Sequence, residues 1–357
     1  MDSRERVALT LEHAEADRIP IDFWASQGFL ARLKAETGLS KGEFLDLHDV
    51  DFRYIDGPEY VGPPLGEGGD IWGVPRTIAE VRISGGIERY AEVTDPPLAR
   101  VNTVDEVNDY GHWPSPGWFD YTAIEKHCDA VIGQGRVVVF MGGRLNRIAQ
   151  LKPAMYLRGV EQILVDLAMS PDIARSIIGR IRAFYQVYLE RILNAANGKI
   201  DIVLTGDDFG TQKGPLVSPA MWDDYLREGF RSYIRTAHEA GCRVMHHTCG
   251  SVAPIIPRMI ECGLDVLQSL QPGAAEMTPG TLKVRYGDRL SFQGGVCIQH
   301  TMPQGTAEDI RHEVRHLAET LGPGGGYIFG TSHNLQADVS PANATTLMEA
   351  YKEFGRY

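Results

Sequence analysis

The sequence predicts an α/β protein folded as one (β/α)8 barrel of the TIM type over residues 1–357, with a β-hairpin insertion near the N-terminal third. Three observations carry that expectation. Short apolar runs of strand length alternate with helical patterns, an order that argues for a parallel sheet. About eight such runs can be counted, the number a closed barrel needs. At 357 residues and 43% hydrophobic content the chain can bury one large core. A doubly wound open sheet is the alternative arrangement of the same elements.

Val7, Leu9, Leu11 and Ala14, spaced among charges, predict a short amphipathic helix over residues 3–15. Ile19-Pro20-Ile21-Asp22-Phe23-Trp24 then alternates as a first strand, followed by a helix over 29–36 and a strand over 50–55. Residues 59–117 differ in character, being rich in Gly and Pro. They hold short β-type runs at 70–74, 81–84 and 88–93, the last two around a Gly85-Gly86 turn, and are too short to own a core. Val137-Val138-Val139-Phe140-Met141 reads as a buried strand ended by Gly142-Gly143. Helical periodicity covers 161–168 and 172–195, broken at Ser170-Pro171. The remaining strands fall at 201–205, 243–247, 265–269, 290–293 and 327–330. The helices between and after them cover 220–239, 252–261, 307–321 and 341–354, and Pro254 and Pro257 obscure where the second of these begins.

Composition narrows the function classes. A net charge of −12 without a Lys/Arg cluster argues against a nucleic-acid partner. There is no apolar run of about 18 residues and no signal-peptide core at the N-terminus, which predicts a cytoplasmic protein without membrane contact. The five cysteines, Cys128, Cys242, Cys249, Cys262 and Cys297, are odd in number and widely spread, so reduced thiols rather than a disulfide framework are expected.

Chemistry concentrates just after the strands, where a barrel builds its active site. Arg243-Val244-Met245-His246-His247-Thr248-Cys249-Gly250 ends an apolar run in two histidines, a spacer and a cysteine. Residues two apart on an extended strand end face the same side, so His247 and Cys249 can converge, and nitrogen with sulfur suits zinc. A lone His-x-Cys also occurs as plain scaffold, with cysteine as a small buried hydrophobe. Gly206-Asp207-Asp208-Phe209-Gly210-Thr211-Gln212 places two carboxylates after another strand, either as acid/base groups or as turn and cap residues. His333 follows the last strand, and Cys297 follows the one before it. Gly322-Pro323-Gly324-Gly325-Gly326 precedes its strand and opens no helix, so it reads as a loop rather than a phosphate cradle.

The order of these motifs resembles the uroporphyrinogen decarboxylase superfamily over nearly the whole chain. The residues that carry the resemblance are Arg4-Glu5-Arg6-Val7, Asp17-Arg18-Ile19-Pro20, the 206–212 run, His247-Thr248-Cys249-Gly250-Ser251-Val252, Gly294-Gly295-Val296 and Gly324-Gly325-Gly326-Tyr327-Ile328. The resemblance implies a (β/α)8 barrel and one of two chemistries: cofactor-free decarboxylation of a tetrapyrrole, or zinc-dependent methyl transfer to or from a corrinoid. The decarboxylases hold their substrate's carboxylates with Arg-Gln-Ala-Gly-Arg after the first strand; the matching Ala25-Ser26-Gln27-Gly28-Phe29 lacks both arginines, and without them the role of Asp56, the candidate for the decarboxylase aspartate, is unsupported. The methyltransferase branch carries His-x-Cys-Gly and a third ligand, usually Cys, after the last strand. His247 and Cys249 match, and the third position falls on His333, with Cys297 as the alternative.

What the resemblance implies is therefore a zinc-dependent methyltransferase acting between a small methylated ether, amine or thiol and a corrinoid. No Asp-x-His-x-x-Gly motif occurs in the chain, so the corrinoid is expected on a partner protein. Asp207 or Asp208 would orient substrate, supply a proton or fill a fourth metal position. Trp24 and Phe29, with Phe23, would suit an apolar or aromatic substrate, and Asp56 and Gln212 complete the expected substrate contacts. Two rivals stand beside this: a metal-free decarboxylase or lyase on a smaller substrate, with Asp56 and Tyr156 near the reacting carbon, and a noncatalytic metal or corrinoid binding module.

Overall fold

The computed structural model describes residues 1–66, 68–142 and 147–357; Gly143, expected at the end of a strand, lies outside the described residues. The strands are β1 (Phe52–Ile55), β2 (Glu59–Tyr60), β3 (Arg76–Ile83), β4 (Gly86–Val93), β5 (Phe119–Asp120), β6 (Val137–Phe140), β7 (Ile202–Gly206), β8 (Arg243–His247), β9 (Val266–Leu270), β10 (Ser291–Val296) and β11 (Tyr327–Thr331). Seven of them form a parallel sheet in the order β1-β6-β7-β8-β9-β10-β11.

The apolar runs that predict these strands are buried on both faces, as a parallel sheet under helices requires. Val137 and Val139 point to an inner cluster with Phe52, Ile202, Leu204, Met245, Val266 and Ile328. The alternate residues Val138, Phe140, Val203 and Val244 point outward into the layer packed against the helices. A sheet whose inner face meets itself is a curled one, and the architecture is that of a TIM-barrel-like α/β fold.

The expected first strand forms single bridges instead of a ladder, Ile21 with Phe329 and Ala25 with Leu335. On one side the Phe329 N–H donates to the Pro20 carbonyl and the Asp22 N–H to Phe329; on the other the Asp51 N–H donates to Ile21. Pro20 has no N–H to give, and the Ile21 N–H goes to the Asp51 carboxylate at 2.8 Å, so no regular ladder propagates. The segment nonetheless has backbone hydrogen bonds to β11 on one side and to Asp51, the residue before β1, on the other.

Three further expectations need correction. Residues 70–74 form a turn in which the Asp70 carboxylate accepts the Trp72 and Val74 N–H groups, not a strand. The helix expected over 220–239 is two helices, Pro219–Tyr225 and Arg227–Glu239, and at the break the Leu226 carbonyl accepts from Gln150 Nε2 at 3.0 Å. The helix expected from 252 starts at Ile256, with Pro257 in its first turn where a missing N–H costs nothing.

β3 and β4 pair as a regular antiparallel hairpin. Its Glu88 is buried and accepts from Ser26 Oγ at 2.5 Å and from the Ala337 N–H at 2.8 Å, which ties the hairpin to the rim of the sheet. Among the described residues no helix is long and apolar enough to cross a membrane.

Asp51 anchors the N-terminal segment. Its buried carboxylate accepts from Ser3 Oγ at 2.7 Å, Arg6 Nη1 at 2.6 Å and Arg18 Nη1 at 2.7 Å, in addition to Ile21 N. Asp51→Ala would leave two guanidiniums facing an emptied site, and removal of one partner from a buried ion pair costs about 3–5 kcal/mol. Urea unfolding should show a loss of that size, and a loss below about 1 kcal/mol, the level of an exposed pair, would contradict the role given to Asp51.

Candidate metal and substrate site

The site is built where β7, β8, β9 and β11 end. Consecutive residues of β8 face opposite ways. His246 points outward, stacked on Phe209 with ring centroids 5.3 Å apart, against Phe230, and with Nδ1 2.8 Å from Thr205 Oγ1. His247 points to the inner side. Its register partner on β9 is Gln268, whose Oε1 lies 2.9 Å from His247 Nδ1. With that oxygen as acceptor, Nδ1 carries the proton and the Nε2 lone pair faces Cys249 Sγ, 3.5 Å away.

Past Cys249 the chain turns sharply at Gly250, φ 76°, and the 206–212 loop crosses there, with the Ser251 N–H donating to the Thr211 carbonyl at 2.7 Å. A Cβ on Gly250 would meet that carbonyl at 2.6 Å, and one on Gly210 would meet the Cys249 carbonyl at 2.6 Å, so both loops need glycine where they cross. Thr248, the spacer, accepts the Phe209 N–H at 2.9 Å and fixes the two loops to each other.

His333 arrives from the loop after β11, which bridges to the segment carrying Trp24 through Ala25 and Leu335. One ligand atom each from His247, Cys249 and His333 lies within 4.8 Å of the others. Cys297 is not in this group; it is half-buried, and its N–H donates to Glu313 Oε1 at 2.8 Å.

The arrangement fits a zinc ion on two counts. Zinc–nitrogen and zinc–sulfur bonds of about 2.0 and 2.3 Å at a tetrahedral angle put the two donors roughly 3.5 Å apart. The His247 to Cys249 separation is 3.5 Å. Burial, reinforced by the Arg147 charge, holds His247 well below the usual imidazole range and thus neutral, the form that binds metal. Burial, with Asp208 adding to it, pushes the Cys249 thiol up to about 12, so a thiolate there calls for a cation beside it.

The two neighbouring aspartates serve different ends. Asp207 is buried and caps the helix Leu151–Arg158, accepting the N–H groups of Gln150 at 2.6 Å, Leu151 at 3.0 Å and Lys152 at 2.6 Å. Burial pushes its carboxyl up to about 6 against the pull of those three donors. It is not among the residues that line the cavity beside His247 and His333, and its bonds are those of a helix cap in place of the catalytic role expected for Asp207. Asp208 faces the site: Oδ1 is 3.8 Å from His247 Nε2 and accepts the Cys249 N–H at 3.3 Å, while Oδ2 meets Lys152 Nζ at 2.5 Å. Against the effect of burial, the Lys152 ammonium holds this carboxyl below the usual range.

A cavity of about 270 Å³ opens in front of this group, lined among others by Trp24, Tyr54, Tyr90, Met141, Arg147, Lys152, Tyr156, Asp208, His247 and His333. Trp24 stacks on His247 at 5.4 Å with 23° between the planes. Its Nε1 donates to Tyr54 Oη at 2.6 Å, and Tyr54 donates to the buried Asp22 at 2.6 Å, so the indole is locked in place.

The other expected substrate contacts lie elsewhere. Phe29 is fully buried against Phe23, on a helix that packs against the hairpin strand β4 and the helix Pro341–Phe354. Asp56 and Gln212 are exposed and outside the cavity lining, Asp56 just past β1 and Gln212 in the turn beyond Gly210. Tyr156 does line the cavity, with the Arg76 guanidinium 4.3 Å from its ring centre. Sequence reasoning missed Gln268, Lys152, Arg147 and Tyr54. Only Gln268 offered a signal, as a large polar side chain inside the buried strand Val266-Leu267-Gln268-Ser269-Leu270.

Residues 85–354 match the family of uroporphyrinogen decarboxylase (URO-D), and the chain belongs to that family. Curated relatives match over a shorter stretch. The uroporphyrinogen decarboxylase of Pseudoalteromonas translucida is 39% identical over 72 residues, 20% of each chain, and that of Methylococcus capsulatus is 33% identical over 75 residues, 21% of each. The matched stretch thus spans about a fifth of those relatives. A methyltransferase from Methanosarcina mazei shares the fold, with a TM-score of 0.71 at 16% identity over 99% of both chains.

His246 supplies a test of this layout. Burial lowers its imidazole to about 3, whereas the unfolded residue titrates near 6.5. The unfolded chain therefore binds the extra proton first, and stability present above pH 6.5 is lost as pH falls from there toward about 3, by roughly 1.4 kcal/mol per unit. Urea unfolding between pH 7 and 4.5 should show a shallower decline in His246→Gln than in the parent. Equal slopes would mean that His246 is not held neutral between Phe209 and Phe230.

Proposed function

We propose that this protein is a zinc-dependent methyltransferase that moves a methyl group between a small methylated ether, amine or thiol and a corrinoid carried by a partner protein. The observation that carries the reading is the convergence of His247, Cys249 and His333 at the mouth of a cavity. Three protein ligands leave a tetrahedral ion one position open, which separates a catalytic from a structural site. Bound there, zinc would supply a Lewis acid for the heteroatom that gains or loses the methyl group.

The chain's own residues define the rest. Gln268 fixes the tautomer of His247, a partner of the kind whose loss weakens metal binding by about 10- to 100-fold. Asp208, kept ionised by Lys152, can orient the substrate or close the open position before substrate arrives. Trp24 forms a flat wall beside His247, and Met141, Ala149 and Pro153 give the cavity an apolar side that keeps water from the reacting heteroatom. The fold-sharing Methanosarcina chain is a methyltransferase, which agrees with the reading. Decarboxylation of a tetrapyrrole fits less well. Ala25-Ser26-Gln27-Gly28-Phe29 offers no guanidinium, Asp56 is not among the residues that line the cavity, and about 270 Å³ suits a far smaller molecule.

Purified protein should contain close to one zinc per chain by inductively coupled plasma mass spectrometry. Cys249→Ser should lose it, and His333→Ala should bind it more weakly. Methyl transfer to a supplied corrinoid protein should stop on chelation and return with zinc. A parent that neither carries nor takes up zinc would remove the basis of the proposal.

A further inference from the structure

The charges lining the cavity are unbalanced. Among the described residues that line it, Lys41, Arg147 and Lys152 stand with one carboxylate, Asp208, which Lys152 meets. The excess is positive, in a chain whose net charge is −12. A concave wall of one sign concentrates ligands of the opposite sign.

Arg147 is placed by construction. It reaches the mouth by lying across the end of β7, where a Cβ on Gly206 would come within 2.5 Å of its Cδ and 2.9 Å of its Nη1. Its guanidinium sits 5.3 Å over the Trp24 ring, and its Nη2 is 3.2 Å from Met141 Sδ. The indole that stacks on His247 therefore also carries the arginine. A planar guanidinium matches a carboxylate with two parallel hydrogen bonds, which an ammonium cannot do.

From this placement we infer that the small molecule accepted here carries a carboxylate, seated against Arg147 with Lys41 adding to the field, while its apolar body lies along Trp24, Met141 and Tyr156. The inference rests on the methyl-transfer reading only for the identity of the reacting group. It narrows the substrate class to methylated compounds bearing one acidic head. It also modifies the expectation drawn from Trp24, Phe29 and Phe23, which favoured an apolar or aromatic molecule.

The test is a binding titration by calorimetry on the as-purified protein, with benzoate, 4-methoxybenzoate and 3-methoxypropanoate, each against its primary amide. At least one acid should bind about tenfold or more tighter than its amide, as a charge-assisted bidentate contact implies, and the preference should shrink with added salt. Arg147→Gln should abolish the preference, Arg147→Lys should keep part of it, and Lys41→Gln, at an exposed position, should reduce it without affecting folding. Acids that bind no better than their amides, or a set from which no acid binds, would overturn the inference. So would a preference that survives in Arg147→Gln. Because no turnover is read, a protein that prefers acids but holds no zinc keeps this inference and loses the methyl-transfer reading.

Discussion

The period-two alternation of an extended strand is the constraint on which the site depends. At the end of β8 it sends His246 into the aromatic layer beneath the helices and His247 to the inner side, so two adjacent identical residues acquire unrelated roles. Two residues on, the same alternation puts the Cys249 thiol within 3.5 Å of the imidazole, and the left-handed turn at Gly250, locked by the crossing loop at Gly210, ends the segment there. A side chain at either glycine would separate the loops, and with them the two donors.

The same economy governs the carboxylates. Leaving β7, Asp207 turns into the protein and satisfies three N–H groups at the start of the helix Leu151–Arg158. That helix start carries Lys152, whose ammonium reaches Asp208. One aspartate thus positions the cation that keeps its neighbour ionised beside His247. Few of the buried polar groups here stand alone: Gln268 serves His247, and Asp22 serves Tyr54, which serves Trp24. Each link is a hydrogen bond in a low-dielectric setting, where losing a partner is costly and geometry is correspondingly well defined.

Much of the fold was legible in the sequence where apolar runs are long and both faces are buried, as in Val137-Val138-Val139-Phe140 and in β7 to β11. Short elements escaped notice. The helices Lys41–Leu47, Leu151–Arg158 and Pro279–Tyr286 have too few turns for periodicity to stand out, and the Pro20 segment alternates like a strand while Asp51 takes the N–H a ladder would need. In the candidate site, His247 and Cys249 could be paired by eye because the spacing lies within one segment. Arg147, Lys152 and Tyr54 could not, since their nearness comes from strand register and helix placement across the sheet. Phe29 and Gln212 misled for the reverse reason: closeness in sequence to a strand end does not decide which way a side chain faces.

On the proposed reading, one sulfur from Cys249 and two imidazole nitrogens from His247 and His333 share a single zinc ion. X-ray absorption at the zinc edge reads that shell directly. The account predicts one sulfur near 2.3 Å, two imidazole nitrogens near 2.0 Å and one further light atom in the open position. A shell of nitrogen and oxygen alone would remove Cys249 from the site, and a shell with two sulfurs would put a second cysteine where His333 stands. Either spectrum would contradict the account.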